Sequence, residues 1–179
     1  MARHKNDAYN TPSWCVRRMT EAIHLPRGAT YLEPCVGGGA IWHAVGKDRD
    51  WILYDIDGHK SVPAAQHRNF LETELPWGKV DYIVTNPPYS LALEFAEHSL
   101  TMAHNTIMLL RLSFLGSKRR SAFIAATKPD VYVLPNRPSF TGRGTDSCEY
   151  AWFHWHKNSA GKYSVLALTP ISERKQSNE

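Results

Sequence analysis

Thr30-Tyr31-Leu32-Glu33-Pro34-Cys35-Val36-Gly37-Gly38-Gly39-Ala40-Ile41 reads as a short strand, a tight turn and the start of a helix. The consecutive glycines remove side-chain bulk and permit positive φ, so the backbone can come close to a ligand. The G-x-G-x-x-G spacing of dinucleotide sites is absent, and no Gly-Lys-Ser/Thr follows as in a P-loop. Glu33, ahead of the glycines, would repel a pyrophosphate and suits a ligand that carries an ammonium group. A glycine-rich turn without a ligand is the plain alternative.

On both sides of this loop, strands alternate with helices. Pro12 can open a helix with Thr11 as its cap, and Trp14, Val16, Met19, Ala22 and Ile23 follow at helical spacing. Pro26-Arg27-Gly28 ends it. Trp51 to Tyr54 is a second strand ending at Asp55. Residues 58–66 hold at most a turn or two of helix, and Arg68 to Leu71 closes a third unit. Val80 to Val84 runs into Asn86-Pro87-Pro88-Tyr89, after which Ser90 can cap a helix through Leu100. Thr106 to Leu112 is a fifth strand, and Ala122 to Thr127 is helical. Val131 to Leu134 and Tyr150 to Trp155 flank a polar loop, and Tyr163 to Leu168 is an edge strand. This pattern predicts one α/β domain over residues 1–179, with a mainly parallel sheet and an antiparallel addition. Residues 1–11 are expected to be loosely ordered and 172–179 frayed. Glu33 to Gly39, Asp55, Asn69 and Asn86 to Tyr89 all follow strands. They would gather along the carboxyl edge of the sheet, where ligands bind in such folds.

The bulk composition fits this reading. An apolar fraction of 42% over 179 residues supports a single core, and a charged fraction of 21% argues against wholesale disorder. No apolar run is long enough to span a bilayer, and Met1 to Tyr9 lacks the apolar stretch of a secretory signal. Cys15, Cys35 and Cys148 are too few and too scattered for a disulfide framework. A reducing, cytoplasmic setting is therefore expected. A net charge of +4 hints at a polyanionic partner. The histidines are dispersed without zinc-ligand spacing, so no metal is expected.

Asn86-Pro87-Pro88-Tyr89 carries the strongest chemical signal. Two prolines stiffen the strand exit and remove two amide donors, and the residue before a proline is held away from helix. The Asn86 side-chain oxygen and the Pro87 carbonyl are then available to accept N–H groups, with the Tyr89 ring beside them to stack. Such a set suits a planar group bearing NH2. Two acceptors would favour a pyramidal nitrogen and stabilise the charge that develops when it attacks an activated methyl. S-adenosylmethionine (SAM) supplies such a methyl, and its amino-acid end carries the ammonium that suits Glu33. Asp55 can accept from both hydroxyls of a ribose, with Asp57 as a competitor. Asn69 can meet an adenine ring or serve as an ordinary turn residue.

With these motifs in this order, the chain resembles the amino-methyltransferases that modify adenine N6 or, in relatives, cytosine N4 in DNA. The resemblance covers roughly residues 9 to 156. It implies a Rossmann-like class I SAM-dependent fold with a seven-stranded sheet whose last strand is antiparallel. It implies that Tyr9, Thr11 and Pro12 close over the methionine end of SAM. Glu33 would lie near the cofactor's amino group, Cys35, Gly37 and Gly39 would line its loop, Asp55 would take the ribose and Asn69 would lie near the adenine. Asn86, Pro87 and Tyr89 would be catalytic. Pro88 and Phe140 would contact a flipped-out base held between Tyr89 and Phe140. Arg111, Lys118, Arg119, Arg120, Arg137 and Arg143 would hold phosphates on either side; a solvated basic surface is the alternative.

The chain departs from the family in Val36-Gly37-Gly38-Gly39, where Cys-Gly-Ser-Gly is commoner, and in having no separate recognition domain after Trp155. Recognition is then expected from short loops, a partner subunit or relaxed specificity. DNA is the expected substrate. RNA adenine, cytosine N4 and the glutamine amide of a protein are the alternatives, because Asn-Pro-Pro-Tyr also occurs in enzymes for those targets. A non-catalytic SAM- or nucleic-acid-binding module is the remaining alternative.

Overall fold

Strands β4 (Val80–Thr85) and β5 (Ala103–Arg111) form the centre of an eight-stranded sheet. The structure is a computed structural model and describes residues 10–58, 61–140 and 144–175. The remaining elements are α1 (Ser13–Ala22), β1 (Thr30–Glu33), α2 (Ala40–Val45), β2 (Asp50–Asp55), β3 (Gln66–His67), α3 (Ala92–Met102), α4 (Lys118–Thr127), β6 (Asp130–Val133), β7 (Tyr150–Trp155), β8 (Tyr163–Val165) and α5 (Ile171–Lys175). The strand order is β3-β2-β1-β4-β5-β7-β6-β8.

The apolar runs of the central strands follow from burial on both faces. Successive residues point to opposite sides. Leu32, Ile83, Met108, Leu110, Ala151 and Phe153 enter the core that also holds Phe95 and Ala96 of α3. Tyr31, Val84, Ile107, Leu109, Tyr150 and Trp152 enter the core shared with α1 and α2. Every residue of β7 is buried. On α1 the buried stripe is Trp14, Cys15, Val16 and Met19. Ala22 is exposed and Ile23 already extended, so the stripe sits nearer the amino end than the sequence suggests.

Among the described residues the sheet carries seven strands, β1 to β7, of which the last is antiparallel as expected, and adds β8 as an eighth. β7 lies antiparallel between β5 and β6, whereas β8 pairs parallel to β6 at the edge. Among its described residues the β6–β7 connection has no helix to carry the chain back across the sheet, in keeping with antiparallel pairing. Asp130 Oδ1 then accepts the amides of Ala160 at 3.2 Å and Lys162 at 2.9 Å, fixing the turn that starts β8. The third unit is also smaller than expected. β3 has two residues, and residues 61–65, described in part of the β2–β3 connection, form turns without helix.

Among the described residues, no helix is long and apolar enough to cross a membrane.

Candidate active site

Parallel strands direct the carboxyl ends of β1, β2, β3, β4 and β5 to one edge. Glu33, Asp55, Asn69, Asn86 and Arg111 all stand there. Because β7 is antiparallel, its first residue, Tyr150, joins them opposite Arg111.

The glycine loop is held from two sides. Gly37 donates its amide to Asp55 Oδ2 at 2.9 Å, and Asp55 Oδ1 accepts the Asp57 amide at 2.9 Å. Gly38 donates to Asn10 Oδ1 at 3.3 Å. Gly39, at φ 80°, opens α2, and a Cβ there would lie 2.8 Å from Val62 Cγ2. Glycine is thus required by both conformation and space. Asn10, Thr11, Glu33, Cys35, Gly37, Gly38 and Asn86 line one narrow cavity of about 20 Å³. The two sequence motifs therefore meet at a single point.

Glu33 is 1% exposed, and its Oε2 has no hydrogen-bond partner among the described residues. Burial pushes its carboxyl well above the usual carboxylate range, the Trp42 backbone amide pulls it back in part, and the Asp55 charge raises it again.

Asn86 Nδ2 donates to Thr11 Oγ1 at 3.1 Å, while Asn86 Oδ1 is buried without a hydrogen-bond partner among the described residues. Thr11 does not cap α1. Its hydroxyl fixes the Asn86 amide, and buried Pro12 takes the cap position without a side-chain bond. Pro87 is buried and Pro88 half-buried. The Pro88 carbonyl accepts the Leu91 amide at 3.0 Å, starting a 3-10 turn over Tyr89–Leu91. Asn69 spends its Oδ1 on the Leu71 amide at 3.3 Å, as an ordinary turn residue does.

Past Asn86 the site becomes aromatic. Tyr89, Phe140 and Tyr150 pack with centroids 6.3 Å apart for Tyr89–Phe140, 5.4 Å for Tyr89–Tyr150 and 5.1 Å for Phe140–Tyr150. The Tyr89 and Phe140 planes are inclined at 60°. The two expected rings are together, but edge to face, with no parallel slot between them. Burial raises the Tyr89 phenol far above the ordinary tyrosine range, and burial first among several causes pushes Tyr150 up to about 12. Neither ring is a base near neutral pH.

The basic residues divide. Arg119 pairs with Glu94 of α3. Arg120 donates to the carbonyls of Phe114 at 2.7 Å, Ser113 at 2.9 Å and Gly116 at 3.0 Å, locking the turn before α4. These contacts tie both side chains to the protein. Lys118 and Arg137 are exposed, and Arg111 is half-buried over Tyr89. Tyr9 and Arg143 lie outside the described residues. His154 and His156 stand at the opposite edge, bonded to Asn105 and Asp130.

No protein-family model and no curated protein matches the chain. Solved structures do. The type I restriction-modification methyltransferase subunit from Streptococcus thermophilus aligns with a TM-score of 0.68 at 13% identity, covering 97% of this chain and 53% of that one. The EcoKI M protein of a type I restriction enzyme aligns at 0.61 and 13% identity, covering 89% and 47%. The 23S rRNA methyltransferase ErmE aligns at 0.59 and 14% identity, covering 95% and 75%. The chain has the class I methyltransferase fold. It spans about half the length of the type I subunits.

Sequence reading missed three residues of this edge. Asn10 lies between Tyr9 and Thr11 in sequence, but nothing local tied it to Gly38. Tyr150 read as strand core. Asp146, whose Oδ2 accepts the Tyr150 hydroxyl at 2.9 Å, sat in a polar loop with no local signal.

Proposed function

We propose that this chain transfers the methyl group of SAM to the exocyclic N6 amine of adenine in DNA, on a base turned out of its stack. The observation that carries this reading is Asn86. Its Oδ1 is buried without a hydrogen-bond partner among the described residues, at the junction of the glycine-loop cavity and the Tyr89 aromatic group. A buried amide oxygen left unmatched costs free energy unless a ligand N–H satisfies it. An amine donating to Asn86 Oδ1 lies within reach of a methyl donor whose amino-acid end sits against Glu33.

SAM supplies an electrophilic methyl. The amine lone pair forms the N–C bond as the C–S bond breaks, its electrons stay on sulfur, and the nitrogen then loses one proton to water. Asn86 stabilises the charge growing on nitrogen. The neutral phenol of Tyr89 offers a ring rather than a base. Glu33 answers the cofactor ammonium, and Asp55, already bonded to Gly37, has lone pairs left for a ribose. Lys118 and Arg137 offer exposed positive charge for phosphates.

RNA adenine is the second reading, favoured by the structural likeness to ErmE, a 23S rRNA methyltransferase. Tritium transfer from labelled SAM to duplex DNA, single-stranded DNA and RNA in parallel, followed by mass spectrometry of the nucleosides, separates the two. N6-methyldeoxyadenosine is the expected product. Label in RNA alone moves the target to RNA, and label in neither polymer overturns the reading.

A further inference from the structure

The guanidinium of Arg111 lies over the Tyr89 ring, its central carbon 5.0 Å from the centroid. Arg111 Nε donates to the Tyr150 hydroxyl at 3.3 Å, and that hydroxyl donates to Asp146 Oδ2 at 2.9 Å. Asp146 is itself fixed: its amide donates to the Pro138 carbonyl at 2.8 Å, and its Oδ1 accepts the Cys148 amide at 3.1 Å. Beside this stack opens a cavity of about 340 Å³, lined by Tyr89, Ser90, Arg111, Ser113, Phe114 and Arg120. Its volume lies at the lower end of the roughly 300–1,000 Å³ common for ligand pockets.

We propose that Arg111 is an exchange residue that makes the site selective for a phosphate-linked base over a free nucleoside. The inference rests on the reading above, that the target is an adenine amine in a nucleic acid. A planar cation covers a face of Tyr89 on which a nucleobase would stack. To use that face, the base must displace the guanidinium. Stacking of a base on an aromatic side chain and of a guanidinium on the same ring are comparable in strength, and the Tyr150 hydrogen bond adds to the second. For a bare nucleoside the two nearly cancel. A phosphate beside the base changes the balance, because the released guanidinium gains a charge-assisted partner in place of the Asp146–Tyr150 anchor. Selectivity then comes from a penalty on the wrong ligand as much as from attraction to the right one.

The test measures kcat/KM for deoxyadenosine and for a short single-stranded DNA with one adenine, by mass spectrometry of the methylated product. Wild type, Arg111→Ala and Arg111→Lys are compared, with melting temperature and SAM affinity recorded for each. Wild type is expected to prefer the oligonucleotide. Arg111→Ala should lower kcat/KM for the oligonucleotide about 10-fold and raise it for deoxyadenosine, collapsing the preference. Arg111→Lys keeps a charge but loses the flat stack, so it should gain deoxyadenosine activity while retaining most oligonucleotide activity. Should Arg111→Ala fail to fold, Tyr150→Phe carries the test. It frees the guanidinium without removing it and should lower the KM for deoxyadenosine. An unchanged preference in these variants, or an equal fall on both substrates, overturns the exchange role alone. A wild-type protein that labels no nucleic acid overturns the methyltransferase reading and this inference together.

Discussion

The two halves of the carboxyl edge are built from different interactions. Over β1 and β2, polar side chains bind backbone amides: Asp55 takes Gly37, Asn10 takes Gly38, and Glu33 is buried beside them. Over β4, β5 and β7, three aromatic rings meet at interplanar angles of 52°, 60° and 68°, and an arginine stacks on one of them. The first half holds fixed dipoles and a buried acid, which under the proposed function would meet the small charged end of SAM. The second holds flat apolar faces, which would meet the ring of the base. Asn86 joins the halves, bonded through Nδ2 to Thr11 on one side and two residues from the Pro88–Tyr89 turn on the other.

The largest expected effect lies at that junction. Asn86→Ala should lower kcat by about 10²–10³-fold, the usual cost of removing one preorganised group from a transition state. SAM affinity should stay within a few-fold of wild type, because the Glu33 and Asp55 half is untouched. Labelled-methyl assays and calorimetry on one preparation check both statements. Turnover near wild type would remove Asn86 from the chemistry and dissolve the distinction between a binding half and a reacting junction.

How far this edge could be read from sequence depended on where each contact partner lies. The glycine loop was legible because strand, glycines and helix are consecutive, and Asn86 to Tyr89 was legible because two prolines at a strand exit constrain the backbone by themselves. Thr11 was misread as a cap because its partner Asn86 is 75 residues away. The contacts of Arg119 and Arg120 were not legible, because Glu94 and the 113–116 carbonyls become their neighbours only in the folded chain. The same holds for Asp146, Tyr150 and Arg111, which β7 brings together by running antiparallel beside β5. The parallel sheet was legible from alternating strands and helices. β3 and β8, at two and three residues, carry too little pattern to have their length or pairing read.

A smaller effect separates the halves by pH. Glu33 is held well above the carboxylate range, mainly by burial. Its protonated form therefore favours the fold. That contribution is present below the ordinary value of 4.5 and is lost as pH rises through the raised value. An arriving ammonium favours the carboxylate, so SAM binding should release a proton and tighten as pH rises across this window, levelling above it. Glu33→Gln should remove the proton release and weaken SAM about 10–100-fold, in keeping with about 1.5–3 kcal/mol for a hydrogen bond to a charged group. Calorimetry in buffers of differing ionisation enthalpy reads both. Equal proton release by wild type and variant would take Glu33 out of cofactor recognition, leaving the first half of the edge as scaffold.

The smallest effect concerns Asn10, whose side chain lies over Gly38 and lines the narrow cavity. A Cβ on Gly38 would stand 2.7 Å from Asn10 Oδ1, so this carbonyl occupies the space that the glycine's missing side chain leaves. It accepts the kind of amide bond that a ligand carboxylate would accept. Asn10→Ala should cost about 0.5–1.5 kcal/mol of stability, the net contribution of one such hydrogen bond. The Gly38 amide is thereby freed for the ligand, so SAM affinity should change by less than about 10-fold, toward tighter binding. Thermal unfolding with and without SAM compares the two quantities in one experiment. A loss of affinity larger than the loss of stability would mean that Asn10 itself contacts the cofactor. The amide-binding half would then extend from the strand ends onto the segment ahead of α1, a position matched in the aromatic half by Phe140 on the β6–β7 loop.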